Sequence, residues 1–156
     1  MKKVLALTVL MALLFGCAAA EQEVFLPNSR YVIDVPDWMD YSDAVDGDLG
    51  VDAYVSADLE MDYLSYSKEE EIARGMPDTL RETVKKQRQE GIDAELRKVN
   101  GIEMICFRTV DEEDGTPCIG YVFEDGDWLV EIDFWYSTQE AADMTKEIME
   151  TIRTAE

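Results

Sequence analysis

No histidine occurs anywhere in this 156-residue chain, and that one absence closes several routes to function. Histidine is the side chain that titrates near neutral pH without help, and it is a common ligand of zinc. Ser-His-Asp and Cys-His nucleophile systems and histidine-based zinc sites are therefore excluded. No G-x-G-x-x-G or G-x-x-x-x-G-K stretch is present, so nothing supports a loop that cradles phosphate. Positive charge is scarce too: 14 Lys and Arg stand against 35 Asp and Glu, for a net charge of −21. A nucleic-acid backbone needs a basic footprint, so nucleic acid is excluded as a partner.

What is present begins with a leader. Met1-Lys2-Lys3 precedes an apolar run from Val4 to Phe15 that only Thr8 interrupts. A membrane span needs roughly 20 apolar residues, whereas a secretory signal needs a basic start, a shorter apolar core and a small-residue cleavage site. The segment Leu14-Phe15-Gly16-Cys17 resembles the lipobox of bacterial lipoproteins, in which the cysteine is lipidated and becomes the mature N-terminus. Ordinary cleavage in Ala18-Ala19-Ala20 is the rival reading. In the lipoprotein reading residues 1–16 are a signal peptide, residues 17–29 a lipidated tether and residues 30–156 a single domain. Acyl chains on Cys17 then hold the protein on a bacterial cell membrane, outside the cytoplasm, since two or more chains anchor stably where one does not. The acidity serves as a solubility charge, or as a means to capture cations or a basic partner. A hydrophobic fraction of 47 % is enough for one real core.

Periodicity places the elements of the domain. Arg30 to Pro36 reads as a strand, Asp37 to Gly50 as loop or irregular strand, and Val51 to Ser67 as two strands with a break near Asp58. Ser67-x-x-Glu70 is a capping box that starts a helix. Ile72, Met76, Leu80 and Val84 recur at a spacing of four, but Gly75 and Pro77 predict a kink or two abutting helices. Gly91 sits where a C-terminal cap belongs. Asn100-Gly101 and Asp125-Gly126 each lie between strand-like runs and predict two-residue hairpins, giving a four-stranded meander from about Ala94 to Tyr136. The turns set the expected pairs: Val99 with Ile102, Phe123 with Trp128, Tyr121 with Val130 and Ile119 with Ile132. One face then gathers Ile119, Tyr121, Phe123, Trp128, Val130, Ile132 and Phe134. Val122, Leu129 and Trp135 on the other face predict a sheet covered on both sides. Ser137-x-x-Glu140 is a second capping box, opening a helix whose Ala141, Met144, Ile148 and Ile152 share a face.

This order of elements, with the P-x-W of Pro36 to Trp38, the Asn100-Gly101 turn and the acidic turn before an aromatic strand, resembles the PsbP-like fold. That fold is shared by the photosystem subunit PsbP, a Ran-binding nuclear import relative and small bacterial lipoproteins. The resemblance implies an α+β domain, an antiparallel sheet of about six strands with helices packed on its faces in an α/β/α sandwich. It also implies a non-enzymatic role in binding other proteins, and it carries over no site residue.

Four groups of residues are candidates for chemistry. Cys106 and Cys118 are buried thiols or a disulfide; if Phe107 pairs with Ile119 they share a face at a diagonal, with Cα atoms ~7 to 8 Å apart, beyond the usual span of a bridge. Asp43, Asp46, Asp48 and Asp52 form an acidic loop of the kind calcium prefers, although the spacing does not match the EF-hand. Glu131 and Asp133 alternate on one sheet face between Leu129 and Trp135. They could act as a glycosidase-like pair if a cleft holds both, or form a solvated strip paired with Arg97 or Arg108. Cys17 is the fourth. The expected function is a membrane-anchored, non-enzymatic binding or accessory module for an envelope protein; the alternative is a small-ligand or Ca²⁺-binding protein that uses residues 37–52.

Overall fold

The computed structural model describes residues 21–42 and 51–156. Cys17, the leader, and Asp43, Asp46 and Asp48 lie outside the described residues. The described elements in chain order are β1 (Glu21–Phe25), β2 (Tyr31–Pro36), β3 (Asp40–Ser42), β4 (Asp52–Val55), β5 (Leu59–Ser67), α1 (Lys68–Ala73), α2 (Leu80–Gln89), β6 (Asp93–Val99), β7 (Ile102–Val110), β8 (Pro117–Asp125), β9 (Trp128–Tyr136), α3 (Gln139–Met149) and β10 (Arg153–Thr154). They form an antiparallel seven-stranded sheet in the order β3-β4-β5-β9-β8-β7-β6 and a small sheet in the order β1-β2-β10. The architecture is α+β, and the sheets are larger than the six strands expected.

The large sheet is apolar on both faces, as the alternation of β8 and β9 predicts. One face carries Met61, Met104, Tyr121, Phe123, Ile132 and Phe134, covered by α3 and the small sheet. The other carries Ala94, Ile105, Val122 and Leu129 beneath Leu80 and Val84 of α2. Phe123 and Phe134 are completely buried; each such side chain contributes roughly 1.5 to 3 kcal/mol by leaving water.

Local chemistry explains where the elements start and stop. The Ser67 hydroxyl accepts from the Glu70 amide and starts α1, and Gly75 then turns the chain at a φ of +100°, so the apolar spacing of four is split between two helices. Gly91 follows α2 at a φ of +90°. The cap of α3 is Thr138, which accepts from Ala141, and not the expected Ser137. The Ser137 hydroxyl and amide are both turned to Asp58 instead.

Three further expectations are corrected. Glu21–Phe25, placed in the tether by sequence, is strand β1, paired residue for residue with β2; only Val24 of the five is buried, too little periodicity to announce a strand. The second hairpin turns on Gly126-Asp127, with Gly126 at a φ of +61°, so Asp125 faces Trp128, Phe123 faces Val130, Tyr121 faces Ile132 and Ile119 faces Phe134. That shift is two residues, which leaves every side chain on its expected face. Between β7 and β8 the shift is one residue: Phe107 faces Gly120 and Cys106 faces Tyr121. A shift of one moves Cys118 to the opposite face of the sheet from Cys106. Both thiols are buried and free, and no bridge can pass through the sheet.

Asn100 does double duty at the first hairpin. It adopts a φ of +48°, and its side-chain amide donates to the Glu150 and Ile152 carbonyls at 2.6 and 3.0 Å, tying the turn to the end of α3. Asn100→Gly keeps the backbone conformation and loses the two bonds, whereas Asn100→Ala loses both. Urea unfolding should rank stability as wild type, then Gly, then Ala, with Ala about 2 kcal/mol or more below wild type. An Ala variant as stable as the Gly variant would show that the positive φ carries no strain.

Candidate functional site

The antiparallel register of β5 and β9 sets Asp62 directly opposite Asp133, and Leu64 opposite Glu131. Three carboxyl groups therefore share the face of the sheet that α2 covers only in part. All three are half-buried. The Trp135 indole N–H donates to Asp62 Oδ2 at 3.1 Å. The other oxygen of Asp62 and Oδ1 of Asp133 are sealed from solvent with no hydrogen-bond partner. Glu131 interacts with the Tyr66 hydroxyl.

Opposed carboxylates in a partly dry setting cannot all ionise cheaply. Burial first, then repulsion from Glu131 and Asp62, pushes the Asp133 carboxyl up to about 8. Burial, then repulsion from Glu60, pushes Asp62 up to about 7. Glu131 is raised by burial and by Glu71, while the Tyr66 bond works the other way. Asp133 and Asp62 are thereby pushed toward their protonated forms near neutral pH, which softens the charge of a strongly acidic chain.

The two acids singled out by sequence do not face one space. Glu131 lines a cleft of about 340 Å³ between α1, α2 and the sheet, with Tyr66, Glu71, Arg74, Lys86 and Gln87. Asp133 is not part of that lining. Its carboxylate lies over Gly120, where a β-carbon would collide with it and with the ring of Phe107. A glycosidic bond held between this pair would need room on both sides, and the Phe107 ring occupies the space beside Asp133. Neither Arg97 nor Arg108 pairs with these acids; their partners are Glu95 and Asp93. Among the described residues no three Cys, Asp or Glu side chains are placed to share a metal ion. Asp52, the one described member of the acidic loop, accepts from the Tyr41 hydroxyl at 2.6 Å.

Sequence reasoning missed Asp62. Its signal was the alternation of Asp62 with Met61 and Tyr63 in β5, which marks it as facing away from the main core; that β9 lies beside β5 is not written in any local pattern.

No protein-family model and no curated protein matches the chain. Solved structures do. A crystal structure from Bacteroides thetaiotaomicron is similar with a TM-score of 0.58 at 13 % identity, over 86 % of this chain and 48 % of that one; the chain thus spans about half the length of that protein. The solution structure of cyanobacterial PsbP (CyanoP) from Synechocystis is similar with a TM-score of 0.53 at 13 % identity, over 90 % of this chain and 96 % of that one. The fold is PsbP-like. No described helix is long and apolar enough to cross a membrane.

Two outcomes follow from the buried acids. A carboxyl raised in the folded state keeps its proton where the unfolded chain has lost it, so its contribution to stability is present near pH 4 and falls as pH rises through about 8. The melting temperature should drop between pH 5 and pH 9, and Asp133→Asn should flatten that drop and melt higher than wild type at pH 9. A slope unchanged by Asp133→Asn would remove the cluster as its cause. Gly120→Ala should cost about 1 to 3 kcal/mol in urea unfolding through collision with Phe107 and Asp133.

Proposed function

We propose that this chain is an exported lipoprotein, anchored to a bacterial cell membrane through lipid on Cys17, whose PsbP-like domain is a non-enzymatic binding or accessory module for another envelope protein. The observation that carries the reading is the junction of leader and fold: β1 opens at Glu21, only a few residues after the lipobox cysteine. Such a short connection keeps the domain close to the bilayer surface, within ~15 Å if fully extended, and so within reach of membrane-bound partners. The fold likeness to CyanoP supports an accessory role, as the resemblance of the sequence implies. The separation of Glu131 from Asp133 gives the hydrolytic alternative no support.

The test is made in the native host. Wild-type protein should take up labelled fatty acid and sediment with membranes, and Cys17→Ser should do neither. Cross-linking in intact cells should recover the same envelope protein repeatedly with wild type and much less of it with Cys17→Ser. An unlipidated mature N-terminus at Ala18, Ala19 or Ala20 would overturn the anchor, and cross-linking that recovers no recurring protein would overturn the module.

A further inference from the structure

The described basic side chains fall into two groups. Arg81, Lys85, Lys86, Arg88 and Lys98 form no ion pair with a described residue, while every other described Lys and Arg does, Arg153 with Asp34 and Arg97 with Glu95 among them. The first group is gathered on α2 and the adjoining strand β6. In a chain of net charge −21 carboxylates are abundant, so several unpaired cations in one place mark a surface kept positive against the sign of the molecule. Arg81, Lys85 and Arg88 lie at helical spacings of four and three, which puts them on one side of α2. With Val84, Leu96 and Glu95 they line a groove of about 610 Å³ along β6.

β6 is also an edge of the large sheet. Val99 and Ile102 close a two-residue hairpin, so by antiparallel alternation Val99, Arg97 and Glu95 turn their backbone groups toward β7, and Lys98, Leu96 and Ala94 turn theirs outward. The bond from Arg88 Nε to the Ala94 carbonyl agrees with that assignment. It covers one end of the edge. The outward groups of Leu96 and Lys98 meet no other strand among the described residues.

We propose that this groove docks an acidic, extended segment of a partner protein. The segment adds as a strand beside β6, bonding the outward groups of Leu96 and Lys98, and lays its carboxylates on Arg81 and Lys85. Main-chain bonds then supply affinity and the basic row supplies selectivity. Charge complementarity alone would also suit an anionic lipid surface, but the position of the groove speaks against it. The Gln22 side chain of β1 bonds the Met39 carbonyl at 2.9 Å, which places the N-terminal side of the domain at the β3 edge. β6 is the opposite edge, six strand spacings or about 29 Å away. This inference rests on the reading of the domain as a binding module held by its N-terminal end.

The full chain in detergent micelles is titrated into a fluorescein-labelled octapeptide of alternating Glu and Val, and anisotropy is read. Binding should saturate, weaken about tenfold or more in Arg81→Glu/Lys85→Glu, and weaken as salt rises from about 0.05 to about 0.5 M. Amide exchange at Leu96 and Lys98 should slow in the complex, while the melting temperature of the double variant stays near that of wild type. Absence of saturable binding, binding indifferent to the double substitution, or binding without protection at Leu96 and Lys98 would overturn the proposal. Capture by phosphatidylglycerol vesicles through Arg81 and Lys85, with no peptide binding, would overturn it in favour of lipid. The assay does not involve Cys17 lipidation, so a failed anchor leaves it intact. A recurring cross-linked partner without peptide binding would remove this groove alone.

Discussion

Two turns of two residues each, Asn100-Gly101 and Gly126-Asp127, set the register of β6 on β7 and of β8 on β9. Strand side chains alternate, so a register fixed at the turn decides which residue points where along nine residues of strand. Tyr121, Phe123, Ile132 and Phe134 reach the main core because of it, and Glu131 and Asp133 are carried to the opposite face by the same parity. β5 then joins β9 along its full length, and Asp62 arrives opposite Asp133 without any local preference of its own. The carboxyl cluster is thus a consequence of hairpin geometry as much as of the acids themselves.

Where the sequence was informative, short-range rules were in control. The Asn100-Gly101 turn, the Ser67 cap and the division of the helical stretch at Gly75 and Pro77 involve residues within a few positions of one another. The division of β8 and β9 into two apolar faces was readable for the same reason. Errors arose where two local solutions were nearly equal. Asp125-Gly126 and Gly126-Asp127 both offer a glycine for a tight turn, and Asp125 is held in the ladder by a distant demand, the Arg30 amide and guanidinium that it accepts. Ser137 and Thr138 both suit the helix cap, and the pull of Asp58 on Ser137 decides between them. The β7–β8 register was unreadable because the loop from Asp111 to Thr116 is long enough to accept either parity. There the deciding contact is Phe107 over Gly120, a pair formed across strands.

Charge is distributed unevenly over this fold, and the unevenness has a physical order. Carboxyl groups drawn partly out of water with no cation beside them are pushed toward the protonated form, as at Asp62 and Asp133. Carboxylates that can reach a cation near the small sheet are cross-linked by it: Arg153 binds both Glu23 and Asp34, bringing β1 and β2 together with the chain end. Most of the remaining described acids are exposed and repel one another through solvent, where salt screens them. Against that background the cations of α2 that pair with no described carboxylate depart from the pattern of the molecule, and the sheet edge beside them meets no other described strand at the same place.

The small sheet joins residues from the two ends of the described chain, since β10 and β1 flank β2 on either side. This layer therefore has no closing strand until β10 joins β2, and Ile33 and Val35 lack part of their cover until α3 and β10 are in place. Contacts of such wide sequence separation carry a larger loop-closure cost than the hairpins do, so the meander from β6 to β9 can form before the small sheet closes over it.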